Sequence, residues 1–300
     1  MASGYLRKSF LIVTASLALW ILPIIYFLEG LPRSTSEDPV RVLTQYLKAA
    51  YARDFRVAYR FITSQDKRLK NEKTYVRERG PFTGFALEMA RRLAAHIQAA
   101  PVEKDISGNH AHIKLKLKLP DANKLSPQLL EWDDERLNAL SAKEQGVLLK
   151  MLDKRQKEGK LDSIEGEEAF ELVKEREGWR VFLNWAAGVR IRFDASVPPY
   201  SPFAAAPVQQ EVVTQPGELF IVAYRVNNLS RKQVSTRIVH HIEPKSVAQY
   251  LDIVECGLLF PVRLLPGEKA EYSTTYQIRG DLPEGVRQLA VTYEFKTDQK

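Results

Sequence analysis

Twenty consecutive residues, Ser9 to Leu28 (SFLIVTASLALWILPIIYFL), carry no charge. At 1.5 Å per helical residue such a run matches a hydrocarbon core of ~30 Å, so the sequence predicts a membrane span over 9–28. Pro23 lies inside it and predicts a kink. A cleaved leader would have a shorter apolar run and small residues at its cut site. Here FLEGLPRSTS follows, which favours an uncleaved anchor. Arg7 and Lys8 precede the run, whereas Glu29 and Arg33 cancel behind it. The positive-inside bias then places residues 1–8 in the cytoplasm. The bulk of a single-pass inner-membrane chain would face the periplasm, or the mitochondrial intermembrane-space equivalent.

Three hundred residues with 45% hydrophobic content exceed what one core usually holds and predict two folded domains beyond the anchor. The net charge of +7 forms no single basic stripe, and residues 207–300 are neutral overall. RRLAAHI and KLKLKL interleave their charges with apolar residues, so they read as solvated faces and no nucleic-acid partner is expected. Cys256 is the sole cysteine, in a compartment where disulfides persist. It is either a buried inert thiol or a group offered to something outside the chain.

The first domain is expected over 37–194. Ser36 predicts the cap of a helix through Val40, Leu43, Tyr46, Leu47 and Ala50, with Asp38 and Pro39 in its first turn. DFRVAYRFI continues the helical pattern, and Phe85, Met89, Leu93 and Ile97 fall four apart on a third helix. HAHIKLKLKL then switches to strict alternation, with Ile113, Leu115, Leu117 and Leu119 on one face of a strand. Residues 121–165 read as a polar helical insertion. Ser141 and Glu144 have capping-box spacing there, and Val147, Leu148, Met151 and Leu152 form a seam. EEAFELVKE and WRVFLNWA predict a hairpin turning at Gly178.

Helices followed by an antiparallel sheet make an α+β domain. In the order of its elements, ending in EGWRVFLNW, this domain resembles the cone-shaped fold of nuclear transport factor 2 and its relatives. That likeness implies a cone in which Tyr59, Trp132 or Trp179 could line a pocket. ASVPPYSPFAAAPVQQ is proline-rich and marks either a linker over 195–210 or an extended lead-in strand. From 211 to 300, LFIVAYRVNN, STRIVHHI, LDIVECGLLF, KAEYSTTYQI and RQLAVTYEFK are β-rich runs separated by turns such as LPGE and DLPEG. They predict an all-β, immunoglobulin-like sandwich.

Between Gln215 and Lys296 the order IVAYRVNNLSRK, IEPKSVAQYLDIVEC, LLPGEKAEYSTTYQI, LAVTYEF resembles the periplasmic domain of CtaG-type cytochrome c oxidase assembly proteins. The resemblance implies delivery of copper(I) to the copper B site of an oxidase. It implies as partners the membrane copper enzyme or a copper chaperone. The family signature is Cys-Phe-Cys-Phe; this chain has Cys256-Gly257-Leu258-Leu259, so Leu258 stands at the second ligand. Copper(I) prefers two soft thiolates, and one alone makes a poor site. A homodimer bridging one ion through two Cys256 side chains would restore the pair.

Of the adjacent His240 and His241, opposite faces let only one converge with Cys256; His241 is the candidate ligand, set against a surface role for both. His110 and His112 share a strand face and could hold a metal at a sheet edge, or be ordinary surface residues. No phosphate loop, nucleophile elbow or paired-histidine metal helix occurs, and no enzyme is expected. The function expected is that of a membrane-anchored accessory factor for a copper-containing membrane enzyme. The alternatives are a dimeric copper(I) chaperone and a generic exported scaffold.

Overall fold

The computed structural model describes residues 38–121, 124 and 134–297. The uncharged run 9–28, Ser36 and Trp132 lie outside the described residues. Among the described residues no helix is long and apolar enough to cross a membrane.

Helices come first, and the first four each begin where a short polar side chain satisfies a free N–H. Asp38 caps α1 (Pro39–Tyr51) by accepting from the Val40 N–H, in the role expected of Ser36. Pro39 explains the placement, since it holds the preceding residue out of the helical region and needs no N–H at the first helical position. Asp54 caps α2 (Phe55–Arg60), Thr63 caps α3 (Ser64–Leu69) and Asn71 caps α4 (Glu72–Arg79). α4 stops at Gly80, whose φ of +62° a larger residue adopts poorly; a Cβ there would lie 2.4 Å from Ile221 Cδ1. α5 (Gly84–Ala94) buries Phe85, Met89 and Leu93, as its spacing predicts.

β1 (Gln98–Ser107) and β2 (His110–Pro120) then pair antiparallel. β2 turns Ala111, Ile113, Leu115 and Leu117 toward the helices. Outward, His112, Lys114 and Lys116 pair with Glu171, Glu167 and Glu165 in exposed contacts that add little stability. The insertion supplies α6 (Asp134–Ala139) and α7 (Ala142–Lys157), the latter opened by the reciprocal Ser141–Glu144 capping box. Its expected seam is narrower than predicted: Leu148 and Leu152 are buried, Met151 is half-buried and Val147 is exposed. β3 (Ser163–Glu175) and β4 (Gly178–Phe182) complete a sheet in the order β1-β2-β3-β4.

Two further sheets share one core. β5 (Val189–Ser196), β6 (Phe203–Pro207), β7 (Glu211–Thr214), β8 (Leu219–Asn228) and β9 (Val234–Glu243) precede β10 (Leu251–Cys256). β11 (Val262–Leu264), β12 (Lys269–Ile278) and β13 (Gln288–Thr297) follow. Their orders are β10-β12-β8-β6 and β11-β9-β13-β5-β7, with β5 parallel to β13. The boundary expected at 195–210 therefore moves. β5 already lies between β13 and β7, and β6 is the lead-in strand alternative, an edge strand where Pro207 costs no ladder bond. The prolines of 198–202 mark the passage of the chain from one sheet to the other, which composition alone reads as a linker.

A buried polar layer ties the helices to these sheets. The Asp66 carboxylate accepts from Thr63 Oγ1 and from the backbone N–H groups of Leu183 and Trp185, on the connection between β4 and β5. Lys70 meets Glu78 at 2.6 Å, donates to Val213 O at 2.7 Å and lies over the Trp185 ring. Arg79 meets Glu218 at 2.6 Å and donates to Leu219 O at 3.1 Å. Burial pushes the Glu218 carboxyl up, but Arg79 and the Gln215 N–H reverse this, and the net direction is down. Arg79→Ala strands that carboxylate. It should cost about 3–5 kcal/mol in urea unfolding, and combining it with Glu218→Gln should recover part of the loss.

Candidate functional site

β10 is the outer strand of its sheet, and Cys256 is its last residue, half-buried and paired in register with Thr274 of β12. Because Thr274 is 1% exposed and faces the shared core, the thiol points inward from the rim. Thr274 Oγ1 donates to Cys256 Sγ at 3.6 Å, and Tyr293 OH donates to Thr274 Oγ1 at 3.0 Å. Tyr276 OH and Tyr293 OH are 2.5 Å apart. Each hydroxyl has one proton and Tyr293 spends its own on Thr274, so Tyr276 is the donor to Tyr293. The chain of hydroxyls ends with the sulfur as acceptor.

Tyr224 stacks on Tyr293 at 4.1 Å, and its buried hydroxyl has no hydrogen-bond partner among the described residues. Burial, then neighbouring hydroxyls, raises Tyr224 and Tyr276 far above the ordinary phenol range, with the Cys256 thiol adding to both. Burial likewise raises Tyr293. All three phenols stay protonated, and those of Tyr276 and Tyr293 serve as donors.

The backbone beyond the thiol is closely packed. Gly257 N donates to Ser273 O at 2.9 Å, and a Cβ at 257 would stand 2.9 Å from that same oxygen. Leu258, at the position of the second motif cysteine, is 1% exposed and fills the core between the sheets. Leu258 thus supplies packing where the resemblance implies a second soft ligand.

His241 does not join this site. It bonds Glu294 at 2.8 Å on the outer, exposed face of β9, and holds that carboxyl below its usual range. The inward member of the pair is His240, whose ring meets Tyr293 edge-on at 4.3 Å and whose Nε2 is buried without a partner among the described residues. Alternation allows only one histidine inward, and the register with β13 selects His240. His112 bonds Glu171 at 2.6 Å. Among the described residues no three or more His, Cys, Asp or Glu side chains gather where they could hold a metal.

In the helical domain, the two described residues expected to line a pocket serve the fold instead. Tyr59 donates to Lys70 O, and Trp179 is buried with Tyr75, Trp185 and Leu115.

Residues 162–297 match the family model described as cytochrome c oxidase assembly protein CtaG/Cox11. The C-terminal region is similar to the CtaG-type proteins. Curated proteins named cytochrome c oxidase assembly protein CtaG align with it. That of Sinorhizobium medicae is 26% identical over 112 residues, covering 36% of this chain and 57% of the relative. That of Cereibacter sphaeroides is 29% identical over 112 residues, covering 36% and 59%. That of Bradyrhizobium diazoefficiens is 24% identical over 115 residues, covering 37% and 54%. The chain thus spans a little over half the length of these relatives. A solved FixG-related protein from Vibrio parahaemolyticus is 6% identical over 33% of this chain and 99% of its own, with a TM-score of 0.22.

The hydroxyl chain beneath the Cys256 thiol was missed from sequence, although Tyr224, Tyr276 and Tyr293 each occupy an inward position of an alternating strand. Tyr293→Phe removes two links and Tyr276→Phe one, at about 1 kcal/mol per link in urea unfolding. Burial, then His241, holds the His240 imidazole below its ordinary value. A ring that stays neutral when folded and protonates when unfolded makes stability fall as pH drops through about 6.5. The exposed His112, raised by Glu171, acts in the opposite direction, so the comparison needed is with His240→Gln. That variant should show a shallower loss of thermal stability between neutral and mildly acidic pH.

Proposed function

We propose that this chain is a membrane-anchored accessory factor in the assembly of a copper-containing membrane enzyme of the cytochrome c oxidase kind. In this reading residues 9–28 cross the inner membrane once, the N-terminus is cytoplasmic and both folded domains work in the periplasm. The observation that carries it is the CtaG-type region, whose edge strand ends in Cys256. The anchor would hold that rim near a membrane-embedded client and raise its effective concentration there.

Copper(I) would be cargo, and the donors present fit it poorly. One thiol surrounded by protonated hydroxyls offers a single soft ligand, and Leu258 closes the second position. The chain's contribution is therefore docking on the enzyme or on a copper chaperone, with no transfer step routed through a site of its own. Affinity purification of the full chain from detergent extracts should recover oxidase or other copper-enzyme subunits, or a copper chaperone. Recovery of none would leave the generic scaffold reading.

The position of Cys256 on an unpaired sheet edge favours one second reading, a dimer in which two thiolates bridge one copper(I). Titration of the full chain with copper(I) would then saturate at half an equivalent per chain, and Cys256→Ser would abolish binding.

A further inference from the structure

The five most exposed large apolar side chains among the described residues are Tyr200, Leu229, Leu259, Phe260 and Leu265, all between 62% and 104% exposed. Register and hydrogen bonds place Tyr200, Leu229 and Leu265 at one end of the sandwich, and Leu259 and Phe260 in the loop beside it. β6 starts at Phe203 opposite Asn228, β12 starts at Lys269 opposite Asn227, and β9 starts at Val234 opposite Leu264. Asn228 joins these loops through its side-chain amide, which donates to Leu264 O and Leu265 O, while Leu229 N donates to Pro202 O. Phe260 lies just before β11, in the loop that passes from one sheet to the other beside this end.

The loops are held in place. Leu258 is plugged into the core, and Leu259 N donates to Cys256 O, so Leu259 and Phe260 are turned outward. Ser201 bonds Pro198 O through both its N–H and its hydroxyl, and Tyr200 stands free at φ +61°.

The charge at this end is predominantly positive. Arg231, Lys232, Arg263 and Lys269 are exposed and form no ion pair among the described residues. The single acidic residue in these loops, Glu268, is engaged by the Leu265 N–H at 2.6 Å. Separate aromatic and leucine tips ringed by Lys and Arg suit a bilayer interface, where rings and aliphatic chains enter the headgroup boundary and cations meet anionic lipid. A second copy of this chain is the wrong occupant, because a two-fold contact would set each of the four cations against its own kind.

We propose that this end of the sandwich docks on an anionic lipid surface, with Leu259, Phe260, Leu229, Leu265 and Tyr200 inserted and the four basic residues at the headgroups. The opposite end, where Glu218 meets Arg79, faces away. The proposal needs no client protein and stands apart from the oxidase reading.

The test reconstitutes the full chain in vesicles of phosphatidylcholine with phosphatidylglycerol and without it. A nitroxide is attached at Phe260→Cys, or for control at Glu284→Cys in the loop 279–287, each in a Cys256→Ser background. At 260, collision with oxygen should be several-fold higher, and collision with a water-soluble nickel chelate several-fold lower, than at 284. Arg231→Gln and Lys232→Gln should weaken insertion on the phosphatidylglycerol vesicles by about fivefold per charge. If Cys256→Ser does not fold, Phe260→Trp in the native background with brominated lipid reads the same depth. Equal nickel access at 260 and 284 overturns the proposal. So does burial at 260 that arises only when a membrane-protein client is co-reconstituted, which would assign this end to protein.

Discussion

The buried charges between the helical layer and the sandwich are the constraint on which the architecture rests. Lys70, Glu78, Arg79 and Glu218 are withdrawn from water, and burial drives the Lys70 ammonium down and the Glu78 carboxyl up, each opposed by the other. Such groups are tolerated in a dry interior only when paired, so losing Arg79 or Glu218 on one side of the contact strands the charge on the other. Asp66 adds a second tie by taking the N–H groups of Leu183 and Trp185, where the chain passes from one unit to the other. The two units therefore behave as one support for whatever the sandwich rim contacts.

That support bears on the thiol. Cys256 sits where a rigid sheet meets the rim, and its sulfur ends a directed series of hydroxyl bonds starting at Tyr276. Hydrogen bonds in a dry interior strengthen one another, so the series fixes the thiol's orientation as well as its surroundings. With Leu258 filling the core at the neighbouring inward position, the site places one sulfur per chain at the rim. A docking role on a membrane enzyme and a lipid-facing loop end are compatible with this, since both place the same rim near a bilayer.

Much of the fold was legible because its signals are local. The alternation of β2, the four-residue spacing of α5, the Ser141–Glu144 box and the five β-rich runs each follow from side-chain period or cap chemistry within a few residues. What escaped depends on distant partners. β1 is broken by Pro101 at a register shift and has weak strand character of its own, yet β2 recruits it. β5 and β6 looked like the approach to a linker because prolines follow and divide them, but β13 and β8 supply their ladders. The choice of His240 over His241 as the inward ring depends on pairing with β13, which no local pattern reveals.

The sequence by itself determined an uncharged run suited to a bilayer, the division into a helical α+β part and a β part, and a lone cysteine beside a leucine where a second thiol would be. These follow from composition and period, which every residue carries with it. Only the tertiary structure decided that the sulfur turns inward onto a tyrosine series, that paired buried charges lock the two units, and that scattered loop residues form one apolar, basic end. Each of these joins positions far apart in the chain, and their meeting is set by sheet order and register.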